Sequence, residues 1–254
     1  MFFSKCQFFS IALILLMPFC IHSQKEIELP IDQRVDDLLS KMTLEEKIGQ
    51  MNQYNGFWNV TGPTPIEGNA KEKYDHLSKG WVGSMLNVRG AKEVRAVQEI
   101  AVNESRLGIP LIIGFDLIHG YKTISPIPLA ESASWDLSAI KKSAALGAKE
   151  AAAAGINWTF APMVDITRDA RWGRVMEGAG EDPHLGSLIS AARVLGFQGV
   201  DLSDPNTVAA CAKHFAAYGF AESGRDYNTV DIGENTLHNI VLPPFQYQFS
   251  VKWL

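Results

Sequence analysis

The sequence predicts an α/β protein whose parallel sheet is laid out as a (β/α)8 barrel of the TIM type. Three observations carry this. Apolar, strand-like runs alternate with helical stretches, which is the pattern of parallel strands joined by covering helices. No G-x-G-x-x-G segment follows the first run, which argues against a dinucleotide-binding sheet. The runs also end in charged residues, where a β/α barrel carries its functional groups.

Residues 1–24 stand apart from this pattern. Lys5 precedes an apolar run from Phe8 to Phe19 that is too short to span a bilayer, and small residues near Ser23 suit cleavage before Gln24. The segment is therefore predicted to be a signal peptide, and the remainder to be periplasmic or secreted, with no membrane contact after cleavage. Met17, Pro18 and Phe19 lack the small residue that lipid attachment at Cys20 would need. Removal of the leader discards two of the three cysteines and leaves Cys211 alone, so an intrachain disulfide is excluded and a core must stabilise the chain. Lys5 is the only charged residue of the leader, which leaves the remainder with a net charge of about −6 and no basic patch for nucleic acid.

Taken in order, Val35, Leu38, Leu39 and Met42 fall at helical spacing, and Thr43 with Glu46 forms a capping-box signature for a second helix. The strand-like runs are Trp81 to Leu86, Leu111 to Phe115, Ile156 to Pro162 and Val208 to Phe215. Between them, Ser138 to Ala154 is alanine-rich and stops at Gly155, and Leu185, Leu188, Ala192 and Leu195 form a stripe that stops near Gly199. Both are expected to be covering helices.

Charge gathers where these runs end. Leu111 to Phe115 leads into Asp116 and His119; Ile156 to Pro162 leads into Asp165, Arg168, Asp169, Arg171 and Arg174; Val208 to Ala212 leads into Lys213 and His214. An ionised carboxylate directly after an apolar run is costly without a partner, so Asp116 calls for a ligand or a cation, although a loop brace or helix cap would also satisfy it. Trp172 among three arginines suits a fixed loop, and arginine offers a planar donor fork for carboxylates or neighbouring hydroxyls. Lysine is seldom buried without a partner, so Lys213 with His214 at a strand end points to hydroxyl or carboxylate ligation. No H-x-x-H or C-x-x-C spacing occurs, so no metal is implied, and no cofactor either. Glu222, Arg225 and Asp226 lie in a glycine-bracketed loop, where solvent exposure explains them as well as function does.

The ordered set Gly114-Phe115-Asp116-Leu117-Ile118-His119-Gly120, Arg171-Trp172-Gly173-Arg174, Glu181-Asp182-Pro183 and Lys213-His214-Phe215 resembles glycoside hydrolase family 3. Residues 31–245 take part, and the likeness is to the bacterial periplasmic β-glucosidases. It implies a barrel domain in which Asp116, Arg174, Lys213 and His214 hold the hydroxyls of a glucose unit, with Arg225 as a further contact. The implied activity is retaining hydrolysis of terminal, non-reducing β-D-glucosyl residues from a β-glucoside or oligosaccharide. A nucleophilic aspartate on a later Gly-Phe-Val-apolar-Ser-Asp strand, and an acid/base carboxylate, are not found; Ser203-Asp204 precedes Lys213 and reads as a turn. The reading is therefore a signal peptide at 1–24, an incomplete barrel domain at 25–245 truncated after about five or six of eight strands, and a divergent tail at 246–254. β-Xylosidase activity stays open, as does a catalytically dead sugar-binding fragment. N-acetylhexosaminidase activity is disfavoured by Ala216-Ala217-Tyr218-Gly219 in place of a Pro-Gly-His-Gly loop.

Overall fold

The computed structural model describes residues 29–56 and 67–252, so the expected signal peptide at 1–24 lies outside the described residues. Helix α1 (Ile31–Lys41) belongs to a unit separate from residues 42–254 and forms at the spacing predicted for it; none of its residues is buried.

The second unit opens with α2 (Leu44–Gln50), whose start is the predicted capping box: Thr43 Oγ1 accepts from Glu46 N at 3.2 Å, and Glu46 Oε2 accepts from Thr43 N at 2.8 Å. The same carboxylate receives Arg106 through Nε at 3.0 Å and Nη2 at 2.5 Å, which ties this cap to a residue 60 positions away. Elements then alternate: β1 (Gln53–Asn55), α3 (Gly68–Ser78), β2 (Ser84–Leu86), α4 (Ala91–Asn103), β3 (Ile112–Phe115), α5 (Pro128–Ala133), α6 (Leu137–Ala153), β4 (Trp158–Thr159), α7 (Pro183–Gln198) and β5 (Ala209–Ala210). A helical turn α8 (Glu234–Thr236) runs through a π-helical segment, Leu237–Val241, into α9 (Pro243–Lys252). The segment read as a divergent tail is thus helical as far as Lys252.

The five strands form one parallel sheet in sequential order, in registers that pair Gln53 with Ser84, Ser84 with Ile112, Gly114 with Trp158 and Trp158 with Ala209. Sequential order with a helix after each strand is the winding of a β/α barrel, and it sets every strand's C-terminal end on one face of the sheet. Side-chain clamps fix the register. Gln98 on α4 donates to Leu111 O at 2.8 Å and accepts from Leu111 N at 2.9 Å, while Asn157 Oδ1 accepts from Ile113 N at 2.8 Å.

The core lies between sheet and helices, with Leu77, Met85, Val97, Ile113, Ala148 and Phe197 buried in it. Helices α6 and α7 pack against one another at close range. A Cβ on Gly196 would stand 2.4 Å from Lys141 O and 2.7 Å from Ala144 Cβ, so only glycine allows this approach. Asp182 caps α7, accepting from Leu185 N at 2.7 Å, with Pro183 at the first helical position.

One ion pair lies within this packing. Arg193 on α7 donates from Nη1 to Glu131 Oε2 on α5 at 2.7 Å, with side chains 5% and 7% exposed. Ser143 on α6 donates to the other Glu131 oxygen at 2.5 Å, and Arg193 Nη2 donates to Ile118 O in the loop after β3. Removing one member of a buried pair strands the other charge, so Arg193→Met or Glu131→Gln is expected to cost about 3–5 kcal/mol in urea unfolding. Combining Arg193→Met with Glu131→Leu should recover much of that loss; a single variant as stable as the native chain would contradict the account.

Candidate functional site

The strand ends converge as the sequence implied. Asp116 follows β3, and Leu117 N beside it donates to the buried Thr159 Oγ1 on β4 at 3.1 Å, which fixes the direction of the chain as it leaves the sheet. Pairing between the fourth and fifth strands continues past β5: Lys213 N donates to Pro162 O at 3.1 Å, and Val164 N to Lys213 O at 2.7 Å. Lys213 is thereby held two strands from Asp116, and its Nζ meets Asp116 Oδ1 at 2.5 Å. The lysine side chain is 13% exposed and the aspartate 46%, so the carboxylate keeps an open face toward the cleft.

Arg174 enters from the loop between β4 and α7, within a 3-10 turn, Gly173–Glu177. Its Nε donates to Glu177 Oε1 at 2.7 Å and its Nη2 to Glu177 Oε2 at 2.8 Å, a two-point carboxylate pair. Burial works against ionisation of Glu177, but the hydrogen bonds and charge of Arg174, with the nearby Lys213 and His214, hold its carboxyl below the usual range. The pair raises the Arg174 pKa in turn. Asp116, His119, Ile124, Arg174, Glu177 and Lys213, with Ile118, Gly120 and Met176, line a cleft of about 460 Å³.

His214 stands beside this wall. Its Nδ1 and its backbone N both lie 2.9 Å from Oδ2 of the buried Asp165, and its Nε2 is 3.5 Å from Arg174 Nη1. With Nδ1 as donor to that carboxylate, Nε2 is left as an acceptor. Arg225 lies outside the cleft lining: its side chain is exposed, and its backbone serves local turns to Glu222 and Asn228. The residue of that loop that reaches the site is Asp226, whose Oδ1 accepts from Trp172 Nε1 at 2.9 Å and from Tyr218 OH at 2.5 Å. His119 faces the cleft, and its buried Nδ1 has no hydrogen-bond partner among the described residues.

The remaining arginines of the charged loop do other work. Arg171 pairs with Asp169 at 2.6 Å, which lowers that carboxyl to about 2, and Arg168 stands 5.9 Å over the Phe220 ring. Trp172, 1% exposed, packs edge-on against Tyr218, whose ring in turn flanks His214 at 4.8 Å. Gly219 lets that turn lie against the fourth strand's extension, since a Cβ there would be 2.3 Å from Ile166 O. The turn at Ser203-Asp204 is as read: Asp204 Oδ1 accepts from Asn206 N and Nδ2, both at 2.8 Å, on the surface. Asp165 and Asp226 were named from sequence only as charges at a run end and in a loop, and neither they nor Glu177 and Tyr218 were given a place in the site. Asp165 had a signal, since it too is an acid directly after an apolar run. Among the described residues, no cluster of His, Cys, Asp and Glu could hold a metal ion, and no helix is long and apolar enough to cross a membrane.

A parallel β/α sheet whose strand ends carry paired acids and bases around an open cleft defines a barrel-type, polar-ligand domain. The chain belongs to glycosyl hydrolase family 3: residues 43–251 match the model of that family's N-terminal domain. It is 41% identical over 216 residues to a periplasmic beta-glucosidase of Salmonella typhimurium, covering 85% of this chain and 27% of that protein. It is 30% identical over 237 residues to a putative beta-xylosidase of Formosa agariphila, covering 87% of this chain and 31% of the other. Among solved structures, a beta-glucosidase of Listeria innocua in complex with isofagomine superposes with a TM-score of 0.76 at 41% identity, over 86% of this chain and 30% of that one. A mutant of that enzyme in complex with laminaribiose gives 0.80 at 40% identity, over 86% and 31%. The chain thus spans roughly a third or less of the length of these relatives.

Burial and the Asp226 hydrogen bond together push the Tyr218 hydroxyl from its ordinary 10.0 up to about 12. A raised pKa in the folded state gives stability that is complete below about pH 10 and is lost as the pH climbs toward 12. Urea midpoints across that window should fall for the native chain and fall less for Asp226→Asn, in which the neighbouring charge is gone. Equal slopes would show that Asp226 does not set the Tyr218 proton.

Proposed function

We propose that the cleft binds a terminal β-D-glucosyl unit, and that the chain is the sugar-binding part of a retaining β-glucosidase exported to the periplasm or beyond the cell. One observation carries the reading: two carboxylate–cation pairs, Asp116 with Lys213 and Glu177 with Arg174, face one cleft at the strand ends. A sugar presents several hydroxyls, each both donor and acceptor. Asp116, open on one side, suits an accepted hydrogen bond, while Lys213 and the Arg174 Nη1 group suit donated ones, and charged partners make the stronger bonds. His214 Nε2 stands near enough to Arg174 to accept from the same hydroxyl network.

The cleavage chemistry is assigned to groups other than these. A retaining pair needs two carboxyl groups about 5–5.5 Å apart across the glycosidic bond, one free to attack and one able to give a proton. Here Asp116, Asp165 and Glu177 are each committed to a basic partner, which suits hydrogen-bond acceptance. A β-xylosidase reading is kept because a relative carries that name, and the same cleft would serve a pentose lacking the hydroxymethyl group. Residues 1–24, with their leader-like pattern, and the periplasmic name of one relative support export.

Calorimetric titration with glucose tests this. The native chain should bind, and Asp116→Ala should weaken binding at least tenfold, in keeping with the ~1.5–3 kcal/mol of a hydrogen bond to a charged group. Xylose binding as tightly as glucose would favour the second reading. Hydrolysis of p-nitrophenyl β-D-glucoside by this chain, abolished in Asp116→Ala, would overturn the placement of the chemistry.

A further inference from the structure

We propose that Glu177 is the specificity-determining residue of the cleft: by filling the guanidinium fork of Arg174 it confines the cleft to uncharged sugars and shuts out sugar acids such as hexuronates. This deepens the glucose-binding reading and rests on it for the native ligand. The argument begins with charge. Each permanent cation at the site has its own carboxylate, Lys213 with Asp116 at 2.5 Å and Arg174 with Glu177 at 2.7 Å, while His214 Nδ1 lies 2.9 Å from Asp165. Among the described residues that line the cleft no positive charge is left unmatched, so an incoming carboxylate would lie beside Asp116 and Glu177. Neutral hydroxyls meet no such repulsion.

Geometry sharpens the point. A guanidinium binds a carboxylate best through two parallel N–H bonds, and Arg174 spends its Nε and Nη2 in that manner on Glu177. Among the described residues, its Nη1 makes two hydrogen-bond contacts, both at 3.5 Å, to His214 Nε2 and Tyr218 OH. That leaves single donors, suited to a hydroxyl and ill suited to a carboxylate. The surrounding cations hold the Glu177 carboxyl below its ordinary range, so the exclusion operates at neutral pH. The residues that build the site are thus also the reason a uronide is turned away, and Glu177 is the one whose neutralisation frees a fork facing the cleft.

The test is the ratio of affinities for methyl β-D-glucuronide and methyl β-D-glucoside, measured by calorimetry on the full chain, the isosteric variant Glu177→Gln and the truncated variant Glu177→Ala, with circular dichroism to check the fold. The native chain should prefer the glucoside at least tenfold. Either neutral variant should shift the ratio at least tenfold toward the glucuronide, and adding Arg174→Gln should abolish the shift. A ratio unchanged in the folded variants, or a native chain that takes both ligands equally, overturns the proposal. Should the native chain bind neither glycoside, the glucose reading fails by itself; a glucuronide gain in Glu177→Gln would still support the role of Glu177, and its absence would overturn that role.

Discussion

The guanidinium of Arg193 ties the helical layer to the loop that carries Asp116. It lies on α7, pairs with Glu131 on α5, and donates to the carbonyl of Ile118, two residues beyond Asp116; Ser143 on α6 completes the Glu131 carboxylate. Burial pulls its pKa down and Glu131 opposes that pull, and because a guanidinium stays charged, the partner is what compensates the buried charge. Such a group tolerates little displacement, because any movement leaves a buried charge unmatched. The loop after β3 therefore has one position relative to three helices, and Asp116 stands at its start with Lys213 opposite.

The same rule, that a charge drawn from water must find its complement, organises the cleft itself. Lys213 is received by Asp116 from another strand end and Arg174 by Glu177 of its own 3-10 turn, while His214 donates from Nδ1 to Asp165. Behind them Trp172 and Tyr218 share the Asp226 carboxylate, which keeps the loop after Lys213 folded against the loop of Arg174. The result is a set of oriented donors and acceptors in which Lys213 and Arg174 are each matched by a carboxylate, the kind of surface that exchanges hydrogen bonds with a polyol.

Much of this was legible in the sequence because apolar runs mark buried strands and helix caps mark starts. The capping box at Thr43, the alanine-rich α6 and the strand before Asp116 appear where periodicity placed them. Other elements carry no such mark. Strand β1, Gln53–Asn55, is short, with Tyr54 alone reaching the core between two polar residues, and it is recognisable as a strand chiefly by its pairing with β2. Helix α3 is mostly polar, with Leu77 its one buried residue. Of the site residues, Asp116, Arg174 and Lys213 share one cleft and His214 adjoins it, whereas Arg225 is exposed and outside the cleft lining; position along a loop does not say which of two adjacent exposed charges bonds to the site's aromatic residues, and Asp226 is the one that does. Asp165 was invisible as the partner of His214, since pairing across 49 residues leaves no local pattern, whereas Glu177 stands only three residues after Arg174, a spacing that does show in the sequence.

The proposed sugar site lies at the ends of β3 and β5 with the Arg174 loop between them. The most direct measurement is a heteronuclear NMR titration of the isotopically labelled chain with glucose. The account expects shifts at the Asp116 and Lys213 amides and at the Arg174 Nε–H, with the Arg225 signals unmoved. Shifts centred instead on the cavity lined by Arg168, Asp169 and Phe220 to Ser223, with Asp116 and Lys213 silent, would contradict it.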